Sequence, residues 1–300
     1  SKDIPVSQFP AKLVLELRSL TRKYYDLTDE RSAHINKLKG DLHTVFPQYL
    51  DVFCDVTGKT STMILRQYGT PDKILRGHKK TMIEKISKAS RKGLAKASER
   101  YEKLCAAANA AKTFGCQIDS IYFNIFLTLD LVEKLDSALD SILNRIRQLI
   151  TFNKNEKFIQ QIKLLNTIPG VGFLTAVTIM RDIGDFSAFR NPKQLFAYFG
   201  LDPEVNESGK FVGTQLHMSK RGSRIARRAI FAVALASIRT KRNGEGINPY
   251  LRKYYELKSG QKPKMVAIGA VMHKVCNIVF AVLRDEKAFE LRSPEEHCKQ

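Results

Sequence analysis

The run IDSIYFNIFLTLDLVEKLDSALDSILNRIRQL, residues 118–149, decides the fold. Its apolar positions are Ile118, Ile121, Ile125, Val132, Leu135, Leu139, Ile142, Ile146 and Leu149, with Thr128 the one polar member of the series. Spacings of three and four alternate for nearly five heptads. That period keeps one face of an α-helix apolar and makes a seam for a second helix. A weaker seam precedes it: Leu13, Leu17, Leu20, Tyr24 and Leu27, then, after a phase slip, Ile35, Leu38, Leu42 and Val45. Two seams in one chain predict a long antiparallel coiled-coil hairpin built from 1–45 and 118–157. Their length predicts pairing with a second subunit, as a homodimer or homotetramer. Strand-like alternation is almost absent, so the expected class is all-α.

Working outward, residues 46–117 read as a small helical insertion between the two seams. The breaker Phe46-Pro47 opens it, and Tyr68-Gly69-Thr70-Pro71-Asp72 reads as a turn followed by a capped helix start. From Arg76 to Lys103 there are ten Lys and Arg against three acids. Such basic helices grip a nucleic-acid backbone or form a solvated face, and the sequence leaves both open. Residues 158–290 read as a compact helical domain, and 291–300 as a tail. The domain opens with Ile168-Pro169-Gly170-Val171-Gly172, the signature of a helix-hairpin-helix. Gly170 and Gly172 would let the hairpin backbone approach a phosphate, and the amides of the following helix would bind it.

The stretch Ser219-Lys220-Arg221-Gly222-Ser223-Arg224-Ile225-Ala226-Arg227-Arg228 carries five cations and no acid. Read as a helix opening at Ser219, it places Lys220, Arg221, Arg224, Arg227 and Arg228 in one stripe about 120° wide. Ile225, Ala229, Ala232, Val233 and Ala236 would then form the core face. A one-sign stripe on a packed helix suits phosphate, and the leading serine is either a nucleophile aimed at it or an N-cap. Lys262 and Lys264, flanking the start of the last apolar helix, form a second candidate phosphate contact.

Composition agrees with a polyanionic partner. Fifty Lys and Arg against thirty Asp and Glu give +20 and a pI near 9.8. Five cysteines without a CxxC spacing and six scattered histidines suggest neither a disulfide framework nor a metal site. No signal peptide and no apolar run of 18 residues is present, which disfavours export and membrane spanning and leads us to expect a cytoplasmic protein. The opening Ser1–Pro10 reads as mid-chain loop, as in part of a longer protein.

The ordered series Ile168-Pro169-Gly170-Val171-Gly172, Asp182-Ile183-Gly184-Asp185-Phe186, Phe189-Arg190-Asn191, Leu195 to Pro203, Ser208-Gly209-Lys210 and Ser219 to Ser223 resembles a known family. It is the C-terminal transposase domain of the insertion-sequence family that includes Piv-type DNA invertases and bridge-RNA-guided recombinases. Asn248-Pro249-Tyr250, Gly260 to Lys264 and His273-Lys274 continue the likeness, and residues 1–150 resemble the family's preceding segment. The resemblance implies a DNA transposase or site-specific recombinase that binds DNA, with a guide RNA left open. It implies a serine that attacks DNA phosphate, carried over to Ser219, with Ser223 and then Ser208 as alternatives. It also implies an N-terminal RuvC-like nuclease domain whose four acids hold divalent metal, Mg being the expectation. This sequence begins beyond that domain's last acid, so the chain alone is expected to bind nucleic acid and oligomerise without cleaving, and to hold no metal itself. Asp182 and Asp185 are expected to cap and ion-pair. The rival reading is a non-catalytic nucleic-acid scaffold that uses the hairpin and basic helices for phosphate contacts alone.

Overall fold

The computed structural model describes residues 12–114, 116–154, 156–204, 207–208, 211–212 and 218–293. Among these the chain is all-α, with thirteen α-helices. The one sheet is a two-stranded ribbon, β1 (Glu207–Ser208) against β2 (Phe211–Val212), pairing Glu207 with Val212 and Ser208 with Phe211. Two helices of 34 residues dominate: α1 (Lys12–Val45) and α7 (Asp119–Phe152). Both seams are interior over most of their length. Leu17, Leu27, Leu38, Leu42 and Val45 are buried on α1, and Ile125, Thr128, Val132, Leu139, Ile146 and Leu149 on α7.

The chain divides into two compact units, one of Ser1–Lys23 with Ile142–Gln300, the other of Tyr24–Ser141. The division falls inside α1 and α7, whereas the sequence suggested boundaries at their ends. Each long helix therefore contributes to two cores.

In the Tyr24–Ser141 unit, α1 and α7 are tied by the Arg31 guanidinium, which engages the Asp136 carboxylate through two nitrogens. Between them in sequence lie α2 (Tyr49–Val52), α3 (Lys59–Gln67), α4 (Pro71–Arg76), α5 (Lys79–Ser90) and α6 (Leu94–Phe114). Thr70 caps α4 by accepting from the Lys73 amide at 3.4 Å, with Pro71 in the first turn. Gly69 precedes the cap in the left-handed region, φ +69°, where a Cβ would stand 2.9 Å from the Phe126 ring. The core is Phe46, Tyr49, Ile64, Leu65, Met82, Ile86, Leu104 and Ala108 with Leu38, Leu42 and Ile125. Tyr49 gives its hydroxyl proton to the Ser61 carbonyl at 3.0 Å, and burial pushes the phenol above its ordinary pKa.

The other unit comprises the ends of the long helices with α8 (Lys157–Leu165), α9 (Phe173–Ile183), a 3-10 turn at Phe186–Ala188, α10 (Pro192–Tyr198), α11 (Arg224–Ser237), α12 (Pro249–Ser259) and α13 (Lys264–Asp285). Asn191 caps α10 and Asn248 caps α12, each accepting from the amide three residues on, and each followed by proline. The repeated Asn-Pro signature fixes both helix starts. By length and composition α13 could cross a bilayer. Here its Val271, Val275, Cys276 and Val279 are buried among α8, α9 and α11 residues of the unit's own core.

Candidate functional site

Residues 166–172 connect α8 to α9, and the two glycines of this connection have different surroundings. Gly170 adopts φ +96°, and a Cβ there would stand 2.7 Å from Ser237 Oγ and 3.0 Å from its amide nitrogen. Ser237 Oγ also donates to the Pro169 carbonyl at 3.1 Å. Gly170 thus lets the connection pack against α11. Gly172 caps α9 with no neighbour within 4 Å of a Cβ, and the first turn carries no acid and no side-chain cap. Its backbone is the approachable one, at the positive end of a helix dipole.

The structure corrects the basic-helix expectation. Helix α11 starts at Arg224, not Ser219, and its N-cap is Ser223, whose Oγ accepts from the Ala226 amide at 3.2 Å. Ser219, Lys220, Arg221 and Gly222 form a turn clipped to the chain at 198–202. The Ser219 amide donates to the Asp202 carbonyl at 2.8 Å, and the Lys220 amide to that of Gly200 at 3.1 Å. Lys220 takes φ +54°, which ends any helical run through it. The two strands of this clip touch backbone to backbone: a Cβ on Gly222 would meet the Tyr198 carbonyl at 2.1 Å, and one on Gly200 the Gly222 nitrogen at 2.4 Å. The buried face of α11 is accordingly Ala226, Ala229, Ile230, Val233, Ala234 and Ser237, one position on from the expected set, with Ala232 exposed.

The five cations separate as well. Lys220, Arg221 and Arg224 are exposed, while Arg227 and Arg228 are half-buried. One Arg227 nitrogen donates to the carbonyls of Gly222 at 2.7 Å, Lys220 at 3.1 Å and Phe199 at 3.3 Å. Arg227 therefore staples the clip. Lys262 and Lys264 are exposed around the start of α13.

Two serine–carboxylate pairs flank the turn. Ser219 Oγ donates to Asp202 Oδ1 at 2.6 Å. Ser223 Oγ donates to Asp182 Oδ2 at 2.8 Å, while Asp182 Oδ1 meets Arg181 at 2.8 Å, this acid and arginine being 6% and 1% exposed. The Tyr198 hydroxyl, its pKa raised by burial, donates to the Asp182 carbonyl at 2.7 Å. Ser223 thus spends its proton on a buried ion pair and a lone pair on the helix cap. Ser219 is half-buried, and its lone pairs accept no hydrogen bond from any described residue. Asp185 is a cap: it accepts from the amide and hydroxyl of Ser187, which hold its carboxyl below the usual range. Among the described residues no three of His, Cys, Asp and Glu form a group that could hold a metal ion. Gly209, Lys210 and His217 lie outside the described residues, as does the side chain of Ser208.

Asp202 had no role in the sequence reading. Its signal was the Gly200-Leu201-Asp202-Pro203 turn, but a pairing across 17 residues with Ser219 is a property of the fold.

Residues 162–256 match the family described as transposase IS116/IS110/IS902. The uncharacterized 43.6 kDa protein of insertion element IS110 from Streptomyces coelicolor is 23% identical over 286 residues, 94% of this chain and 66% of that protein. The pilin gene-inverting protein of Moraxella bovis is 30% identical over 177 residues, 59% of this chain and 52% of its own length. The transposase for insertion sequence element IS1111A of Coxiella burnetii is 26% identical over 188 residues, covering 61% of this chain and 50% of that protein. The chain thus spans between half and two thirds of the length of these relatives.

Proposed function

We propose, for a chain whose residues 162–256 match the IS116/IS110/IS902 transposase family, that the protein rearranges DNA by phosphoryl transfer through Ser219. The observation that carries this reading is the Ser219–Asp202 pair, 2.6 Å apart in a turn that presents Lys220 and Arg221 to solvent, with Arg224 just beyond it. Ser219 Oγ attacks a phosphodiester phosphorus. The Oγ–P bond forms as the bond from phosphorus to one deoxyribose oxygen breaks, and that oxygen takes a proton from water. The serine proton passes to Asp202, which then gives it to the hydroxide left by that water. Attack by a hydroxyl from another strand reverses the step and joins new partners, so bond energy is conserved and no nucleotide cofactor is needed. Lys220, Arg221 and Arg224 offset the charge that grows on the phosphate. Gly172 and the amides of the first α9 turn, with Lys262 and Lys264, hold neighbouring phosphates.

The divalent metal that the family likeness implies finds no donor set among the described residues, and no step above runs through one. Activity of the whole protein then draws on residues outside them. A homo-oligomer fits the exposed apolar stripe Phe123, Leu127 and Leu131 on α7, spaced i, i+4, i+8, which a second copy of the same helix would cover. Cytoplasmic, nucleoid-associated action completes the proposal, which holds with or without a guide RNA.

The scaffold reading is favoured by one feature: Asp202 grips Ser219 through both its amide and its hydroxyl, which a purely structural turn would also do. A recombination assay in cells, using the full reading frame on its own element, separates the two. Ser219→Ala is expected to abolish recombination while retaining DNA binding. Undiminished recombination by that variant would leave the scaffold reading standing.

A further inference from the structure

Charge is distributed unevenly between and within the two units. The unit of Ser1–Lys23 with Ile142–Gln300 holds 32 Lys and Arg against 15 Asp and Glu, whereas the Tyr24–Ser141 unit holds 18 against 15. The second unit looks nearly neutral until it is divided. Residues 76–103 carry ten cations and three acids, a net +7, and the remainder of the unit eight cations and twelve acids, a net −4. The positive part is the α5–α6 pair. Met82 and Ile86 from α5 and Ala97 and Leu104 from α6 are buried, which turns the cations outward.

Around the turn between these helices Lys88, Arg91, Lys92 and Lys96 are all exposed, and none forms an ion pair with a described residue. Arg91 takes φ +53° to end α5, and the Lys92 carbonyl is held by the Ser87 hydroxyl at 2.7 Å, so the turn is set by its own bonds. Lys92 and Lys96, with Arg100 and Lys103 further along α6, line a hollow of about 220 Å³. Four residues along a helix advance about 6 Å, near the step between successive phosphates of a strand. Two acids line the hollow beside these four cations: Asp51 from α2, and Glu99, which already bonds Lys103 at 2.7 Å, a bond that keeps its carboxyl low. Large apolar side chains are sparse here: Leu94 is 60% exposed at the turn and stands alone. A membrane or a hydrophobic protein partner has little to bury. A phosphodiester backbone has several unpaired cations to meet.

We infer that the α5–α6 face is a second nucleic-acid-binding surface, distinct from the Ser219 turn and carried by the other compact unit. It rests on the nucleic-acid part of the proposed function and is independent of whether Ser219 is a nucleophile. It reads backbone rather than bases, because exposed lysines reach phosphates without committing to base edges.

The test uses the full chain with Lys88, Arg91, Lys92 and Lys96 all changed to Gln. A Lys37→Gln/Lys39→Gln variant controls for charge elsewhere in the same unit. Fluorescence anisotropy against a duplex DNA and a duplex RNA of one sequence, over a range of salt, gives affinity and its salt slope. Loss of three to four phosphate contacts should make the slope of log K against log salt shallower by about 3, with affinity falling at least tenfold at low salt and the control within twofold of wild type. Whichever duplex suffers the larger loss identifies the natural occupant as DNA or RNA. An unchanged slope and affinity on both, in a quadruple variant of unaltered circular dichroism and melting temperature, would overturn the inference. Equal losses in control and quadruple variant would overturn it too. A wild-type chain that binds neither duplex would instead bring down the nucleic-acid reading itself.

Discussion

At the scale of single residues, glycines and serines separate by what surrounds them. Gly222→Ala puts a Cβ 2.1 Å from the Tyr198 carbonyl and should cost about 3 kcal/mol or more in urea denaturation. Gly170→Ala should behave similarly, from its positive φ and its contact with Ser237. Gly172→Ala meets open space and should stay within about 1 kcal/mol of wild type, while weakening DNA binding if its backbone faces a phosphate. Asp182→Ala removes the carboxylate that meets the buried Arg181 guanidinium at 2.8 Å and should destabilise by about 3 kcal/mol. Ser223→Ala, which loses a helix cap, should cost about 1 kcal/mol. These contrasts were only partly legible in the sequence. The Ile-Pro-Gly-Val-Gly motif marked both glycines, but which one packs and which one is open depends on α11 lying against this connection. Serine in a basic run announced a helix start, and a cap does exist, four residues later at Ser223. What hid the shift was the clip of Ser219 to Asp202, a contact with no local signature.

At the scale of elements, heptads and caps carried most of the information. The helical spans and buried apolar faces of α1 and α7 and the Asn-Pro starts of α10 and α12 were readable because each is a local rule of spacing or cap chemistry. The register of α11 was not, because it depends on where the preceding turn releases the chain. The exposed stripe of α7 yields a direct expectation. Phe123→Glu with Leu127→Glu should lower the sedimentation coefficient toward that of a monomer without lowering helicity, whereas an unchanged oligomer would place subunit contacts elsewhere. Helix α13 sets His273 edge-on to the Phe196 ring, with centroids 4.7 Å apart. Desolvation first, and then Lys274, lower its pKa. A depressed histidine takes up a proton more readily when unfolded, so stability should fall as pH drops through the unfolded value of about 6.5 and level off below the folded one. Melting temperatures at pH 7.5 and about 5.5 should differ less for His273→Phe than for wild type.

For the whole molecule, the net charge of +20 is mostly the property of one unit, which holds 32 of the 50 basic residues. Roughly six phosphate contacts would give a salt slope near −5, and a slope near zero would contradict every nucleic-acid reading. Composition announced that character without locating it. The cationic runs at 76–103 and 219–228 located it along the chain, and the fold decides which cations are available: it sets Lys220, Arg221 and Arg224 in solvent, commits Arg227 to three carbonyls and exposes Lys88, Arg91, Lys92 and Lys96 around the turn between α5 and α6. The claim on which the functional account rests is that one hydroxyl of this chain becomes bonded to DNA. The full-length protein, reacted with its element's DNA, denatured and digested, can be mapped by mass spectrometry for a peptide bearing a nucleotide remnant. The account predicts that remnant on Ser219 and its loss in Ser219→Ala. A remnant on Ser223 or Ser208, or recombination with no protein–DNA bond at any stage, would contradict it.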